Sequence, residues 1–216
     1  MTVVPGGTVR GVDDPLGVLD VTTVDPDPVV EIGRWYEVAS ARLGERAAAM
    51  TVATATPDGR PSARVVLLRG FDARGLVFYT NRESRKGVEI AANPHAAAVL
   101  HWPELEAQIR IEGPVVLVDD TESDAYFSHR PRGHRVGAWA SAQSAPVADR
   151  ATLEAQVAAA EARFPGDDVP RPPYWGGYRI EARRVELWRS RTDRVHDRVL
   201  YTRGDGGTWT RVRLSP

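Results

Sequence analysis

From Pro28 the apolar residues Val29, Ile32, Trp35, Tyr36, Ala39 and Leu43 recur three and four apart. That spacing predicts an amphipathic helix running to about Glu45. Asp27 just before it suits an N-cap, and Pro28 suits the first helical turn. The period then falls to two: residues 50–56 and 62–68 alternate on either side of Pro57-Asp58-Gly59-Arg60, a turn sequence that makes them a hairpin. A second turn at 71–75 leads to a third strand at 76–80. Residues 81–93 read as a helix with Ser84 in its first turns and Asn93-Pro94 as its stop. Strands follow at 96–102 and 107–118, where Gln108, Arg110 and Glu112 alternate with Ile109 and Ile111, so one face is polar. A helix at 121–128, an Ala-rich helix from Asp149 or Arg150 to Phe164, and strands at 178–180, 185–188, 198–202 and 208–214 complete the chain. So many short strands at regular spacing predict a mainly β fold, a small closed or split barrel with flanking helices. Residues 1–27 show neither period and are rich in Gly, Pro and Asp. They read as a flexible N-terminal arm ahead of one domain at 28–216.

Composition narrows the function classes. The chain has 216 residues, a formal net charge of −1 and no cysteine. The length fits one domain. The charge gives no global field for nucleic acid or an anionic membrane, so any anion site must be a local cluster. Disulfides, thiolate metal ligands and a cysteine nucleophile are excluded. With no basic leader before an apolar run and no membrane-length apolar stretch, the expectation is a cytoplasmic protein. Of the 28 Lys and Arg residues only Lys86 is a lysine, which hints that an ammonium suits that position.

The candidate chemistry is cationic. No GxSxG, Walker loop, GxGxxG or HExxH occurs, and the five histidines lack metal-ligand spacing, so phosphate recognition would have to come from side chains. Arg64 on a strand, and Ser84, Arg85 and Lys86 at a helix start where N–H groups also favour anions, form one possible phosphate site. The stretch 126–144, YFSHRPRGHRVGAWASAQS, gathers Arg130, Arg132, His134 and Arg135 around a Pro and a Gly, with Trp139 as a bulky anchor. Guanidinium forks match phosphate oxygens, so this is a second candidate anion site, with a solvated basic loop as the plainer reading. A third polar group, Arg194 to Arg198 with His196, lies beside Trp188. Two cationic pockets and an aromatic-lined cluster suggest a phosphorylated planar cofactor together with an anionic substrate.

RVVLLRGFD, VFYTNRESRKG, AQIRIEG, YFSHRPRGHRVGAWASAQS, WGGYRI and VELWRSRTDRVHDR resemble, in order, the motifs of the pyridox(am)ine 5′-phosphate oxidase family. The resemblance implies an FMN-binding split β-barrel, a homodimer with two FMN at the subunit interface. Arg64, Val65, Val66, Leu67, Leu68, Arg69, Tyr79, Thr80, Arg85 and Lys86 would line the phosphate and ribityl side of FMN. Gln108, Gln143, Ser144, Trp188 and Arg198 would contact the rest of the flavin. Tyr126, Arg130, His134 and Arg69 would bind the phosphate of a phosphorylated pyridine substrate, and Arg194 and His196 would flank its ring as the catalytic pair. The implied reaction is oxidation of pyridoxamine or pyridoxine 5′-phosphate to pyridoxal 5′-phosphate, with O2 as acceptor and H2O2 released. Arg69 and His134 stand where the family usually has Lys and Ser. His134 and the arm motivate an alternative, a related flavin oxidase of secondary metabolism similar to the phenazine-pathway relatives. A non-catalytic flavin or pyridoxal-phosphate binder is the alternative from another class.

Overall fold

The computed structural model describes residues 14–216. Helix α1 spans Pro28–Leu43, and the Asp27 side chain accepts from the Val29 N–H at 2.9 Å, the predicted cap. Its apolar stripe places Ile32, Trp35 and Ala39 in the core. The hairpin is β1 (Ala49–Ala55) and β2 (Pro61–Leu67), antiparallel with Met50 opposite Val66. The short β3 (Gly70–Asp72) and β4 (Gly75–Asn81) come next. Helix α2 is Arg85–Ala92, shorter than expected because residues up to Asn81 stay in β4 and Glu83 and Ser84 close a turn on Asn81. Strands β5 (His95–Trp102) and β6 (Ala107–Leu117) follow. Three helices succeed them, α3 (Asp120–Ser128), α4 (Arg132–Ala140) and α5 (Arg150–Arg163). The chain closes with β7 (Trp175–Ile180), β8 (Arg184–Arg189), β9 (Asp197–Arg203) and β10 (Trp209–Arg213).

Every strand pair is antiparallel, and the long β6 serves two sheets. Residues 107–112 pair with β8, while 115–117 pair with β7. Between them, a Cβ on Gly113 would stand 1.9 Å from the Glu181 carbonyl oxygen, so only glycine fits where the strand changes partner. From β6 the ladder runs through β5 and β1 to β2 on one side and through β7 and β4 to β3 on the other. Leu68 and Arg69 bridge the two ends by donating to the carbonyls of Ala48 and Val77. This is the split barrel, with β8, β9 and β10 as an extension from β6. Alternation puts Met50, Val52, Leu100, Ile109, Val185, Leu187 and Val199 inside, with Trp35 and Trp102 among the largest buried side chains.

Two expectations need correction. Residues 14–27 are packed rather than loose: Leu16, Leu19 and Val24 enter the core. Arg189 donates to Asp14 and to the Gly17 carbonyl, Arg211 to the Val21 carbonyl, and Tyr201 to the Asp25 carbonyl. Scattered apolar residues anchored by single bonds carry no period, so the pattern could not announce them. Residues 1–13 of the proposed arm lie outside the described residues. The basic stretch, where the pattern predicts no helix beyond residue 128, contains α4, which packs on α5 through Val136, Ala140, Ala160 and Trp139. Among the described residues no helix is long and apolar enough to cross a membrane.

Candidate active site

A cleft of about 1620 Å³ opens between β2, the end of β4, the start of α2, and the α3–α4 segment. Arg64, Val65, Val66, Leu67, Leu68, Arg69, Tyr79, Thr80, Arg85, Lys86, Gln143 and Ser144 all line it, as do Tyr126, Arg130 and His134. The sequence-predicted cofactor strand, helix start and basic stretch therefore share one cavity.

At one end sits Lys86, 7 % exposed. Its ammonium donates to Thr80 Oγ1, Ser84 Oγ and Gln143 Oε1, each at 3.1 Å. All three acceptors are neutral, so burial and then the charge of Arg64 lower the lysine to about 8. Gly87 lets α2 start here, since a Cβ would stand 2.0 Å from the Arg82 carbonyl oxygen. Arg64 lies beside it, with Nη1 donating to Thr54 Oγ1 at 2.6 Å and to the Val52 carbonyl at 3.3 Å. Glu89 completes this end. It accepts from Thr54, Ser62, Arg64 and Arg85. Burial opposes its ionisation, yet those hydrogen bonds outweigh it and hold the carboxyl at about 2.

The other end is aromatic. Tyr79, Tyr126 and Trp175 lie nearly parallel, with Tyr79 and Tyr126 centroids 4.0 Å apart and Tyr79 and Trp175 5.6 Å apart. Arg130 sits over Trp175 at 4.7 Å and over Phe127 at 5.5 Å, and Arg69 over Tyr126 at 5.9 Å. Cation–π contact holds these guanidinium groups while leaving their N–H edges free. Among the described residues neither has a carboxylate within ion-pair range, and Arg130 Nη1 is buried without a partner. Burial lowers the Arg130 pKa, Tyr126 opposing and Arg69 adding to the shift. Burial and then the Glu122 carboxylate, 3.5 Å from the hydroxyl, push Tyr79 up to about 12.

Two other residues of the basic stretch serve the packing of the fold. Arg132 turns away to the carbonyls of Phe164 and Gly166, at 2.6 and 3.0 Å. Trp139 is the anchor its size suggested, donating to the Pro170 carbonyl at 2.7 Å. Of the four cationic positions in that stretch, only Arg130 and His134 line the cleft.

Gln108, Trp188, Arg194, His196 and Arg198 lie elsewhere on the same chain. Gln108 pairs with Trp188 across β6 and β8, and Trp188 with Arg198 across β8 and β9, so the three form one row on one face. The His196 ring is 4.7 Å from Trp188, and its Nδ1 accepts from the Arg191 N–H at 3.2 Å. Arg198 donates to Glu186 at 2.8 Å. Asp193 and Arg194 both have positive φ, 58° and 62°, a strained pair of the kind found where side-chain aim matters. Arg194 is exposed. The polar set is thus divided between a cleft and a strip.

Glu89, Ser62, Thr54 and Trp175 were not foreseen as site residues. The i,i+4 spacing of Arg85 and Glu89, and the shared strand face of Ser62 and Arg64, were the available signals.

Fold and site together define a split-barrel protein whose cleft is cationic at both ends. The family model described as "Pyridoxamine 5'-phosphate oxidase" matches residues 39–164, and "Pyridoxine 5'-phosphate oxidase C-terminal dimerisation region" matches 175–216. A pyridoxine/pyridoxamine 5'-phosphate oxidase of Rubrobacter xylanophilus is 55% identical over 192 residues, covering 89% of this chain and 88% of the relative. One from Paraburkholderia phymatum is 53% identical over 202 residues, covering 93% and 94%. The crystal structure of PhzG from Burkholderia lata 383, in complex with tetrahydrophenazine-1-carboxylic acid, superposes with a TM-score of 0.85 at 34% identity, covering 94% of this chain and 100% of that one. The chain belongs to the pyridoxamine 5'-phosphate oxidase family and is an oxidoreductase.

Proposed function

We propose that the protein oxidises pyridoxamine or pyridoxine 5′-phosphate to pyridoxal 5′-phosphate with bound FMN, O2 taking the two electrons and leaving as H2O2, and the amine route also consuming water and releasing ammonia. The observation that carries this reading is the two-ended cleft: a buried ammonium with only neutral acceptors at one end, and two guanidinium groups without carboxylates at the other. Each end has the donor set a phosphate needs, and the space between suits a planar ring system. Relatives named for this oxidation support the same substrate.

Arg64, Arg85 and Lys86 would hold the FMN phosphate, with Thr80, Gln143 and Ser144 beside it. The β2 segment Val65, Val66, Leu67, Leu68 and Arg69, with Tyr79, would flank the ribityl chain. FMN supplies the two-electron acceptor when bound. Arg69, Tyr126, Arg130 and His134 would fix the substrate phosphate, which orients the pyridine and limits its motion. Gln108, Trp188, Arg194, His196 and Arg198 complete the set only if a second copy presents its strip to this cleft. We therefore assign a homodimer with two equivalent sites. The dimerisation region at 175–216 contains four of those five residues, and exposed Val65 and Val212 leave apolar surface for a partner. Arg194 and His196 from the partner would flank the substrate ring as the catalytic pair, holding it in position. A cation such as Arg198 near the ring also favours the negative charge that accumulates on reduction.

The test is oxygen uptake by the FMN-loaded protein with pyridoxine 5′-phosphate and with pyridoxamine 5′-phosphate. An FMN-loaded dimer that takes up no oxygen with either would remove the substrate assignment. The PhzG likeness, with His134 at the substrate end, favours one second reading, a flavin oxidase of another reduced aromatic. A higher kcat/KM for a reduced tricyclic carboxylate than for the pyridine phosphates would establish it.

A further inference from the structure

The FMN reading leaves Glu89 without a role, although this buried carboxylate accepts from four side chains behind the cleft. It is 5 % exposed and lies one turn after Arg85 in α2. Its Oε1 accepts from Arg85 Nε at 2.8 Å, and its Oε2 accepts from Thr54 of β1 and from Ser62 and Arg64 of β2, the last at 3.3 Å. One side chain thus ties together two strands and a helix, and it does so through the two arginines that face the cleft beside Lys86.

Two opposite effects on a bound phosphate are physically available. A buried anion repels another, so by charge alone its removal tightens binding. A carboxylate that already orients two guanidinium forks removes the entropic cost of orienting them when the ligand arrives, and its removal weakens binding. The geometry decides between these. Arg85 is 64 % exposed along its side chain and would otherwise swing into solvent. Glu89 holds it by Nε alone, and both terminal nitrogens lack partners among the described residues. Without a shared anion, Arg64, Arg85 and Lys86 would also repel one another at one end of a single cavity.

We infer that Glu89 is the positioning residue for the cofactor phosphate, holding Arg64 and Arg85 in their receiving orientation before the ligand enters. This rests on the FMN assignment above, and its test separates the two. FMN and riboflavin, which lacks the phosphate, are titrated into apo wild type, Glu89→Gln and Glu89→Asp, followed by flavin fluorescence. Losing charge-assisted bonds to two arginines should weaken FMN by about ten- to a hundredfold in Glu89→Gln while riboflavin shifts by less than about twofold. Glu89→Asp keeps the charge at shorter reach and should fall between. Unchanged or tighter FMN binding in Glu89→Gln overturns the inference, as does a parallel loss of FMN and riboflavin, which marks a merely structural carboxylate. Should Glu89→Gln fail to fold, an unchanged FMN-to-riboflavin ratio in Glu89→Asp overturns it equally. Wild type that ignores FMN overturns the cofactor assignment and this inference with it.

Discussion

The two ends of the cleft are both cationic, yet they are built by different means. Around Lys86 the cations are fixed by hydrogen bonds to hydroxyls, an amide and the Glu89 carboxylate, nearly all from β1, β2, β4 and α2. Around Arg130 they rest on ring faces, with no carboxylate paired to Arg69 or Arg130 among the described residues and one buried N–H unpartnered. A hydrogen-bonded frame sets direction and resists rearrangement, which suits a ligand that stays. A stacked guanidinium is held in place but keeps its donors open, which suits a ligand that must leave each turnover. Under the proposed function, the same charge, differently supported, would separate a resident from a visitor.

The comparison breaks most visibly if one cation is removed from each end. Lys86→Met should weaken FMN on the order of a hundredfold or more, because a buried charge–phosphate contact is worth roughly 3 kcal/mol or above. Flavin retained through gel filtration reads this directly. Arg130→Ala should raise KM for pyridoxine 5′-phosphate by about thirty- to a hundredfold, with FMN affinity within about twofold of wild type. Loss of flavin in that variant would show that the ends are not independent.

Acidity sharpens the contrast. Glu89 is held at about 2 against an ordinary 4.5. Its ionised contacts therefore stabilise the fold above pH 4.5, and this is lost as pH falls towards 2. The stability gap between wild type and Glu89→Gln should shrink across that window by up to about 3 kcal/mol in urea titrations. At the aromatic end no carboxylate pairs with Arg69 or Arg130 among the described residues, so their contacts carry no counterpart of this dependence.

Alkali gives a smaller effect of the other sign. Lys86, lowered to about 8, is partly neutral above that pH in the free protein, and a bound phosphate dianion favours its charged form. FMN binding at pH 9 should then take up a fraction of a proton, and affinity should decline as pH rises through 8. Calorimetry in two buffers of different ionisation enthalpy measures the uptake, which Lys86→Met should abolish.

How much of this was legible in the sequence follows from the range of the interactions. Helix α1, the β1–β2 hairpin and the alternation of β6 depend on local period, and each falls where the pattern puts it. The motif resemblance singled out Arg64 and Lys86 for one phosphate and Tyr126 and Arg130 for another, and all four line a single cleft. The α4 helix was hidden by its Pro and Gly, because tertiary packing of Trp139 and Val136 against α5 stabilises it more than local propensity does. The 14–27 segment was hidden because Leu16, Leu19 and Val24 reach the core without periodicity. Glu89 was hidden because its partners lie 25 to 35 residues away except for Arg85. No one-dimensional pattern reports a carboxylate shared between sheet and helix.

Strand β6, shared by the barrel and its extension, has a mechanical consequence. Its residues 107–112 carry the row that includes Gln108, and its residues 115–117 are sewn to β7, whose Trp175 forms the aromatic wall. A single extended backbone thus acts as a ruler between the surface each subunit offers and the cavity it keeps. Since β-strands stretch little, copies paired as proposed would inherit a fixed separation between donor strip and receiving pocket, and loop motion elsewhere would leave that spacing unchanged.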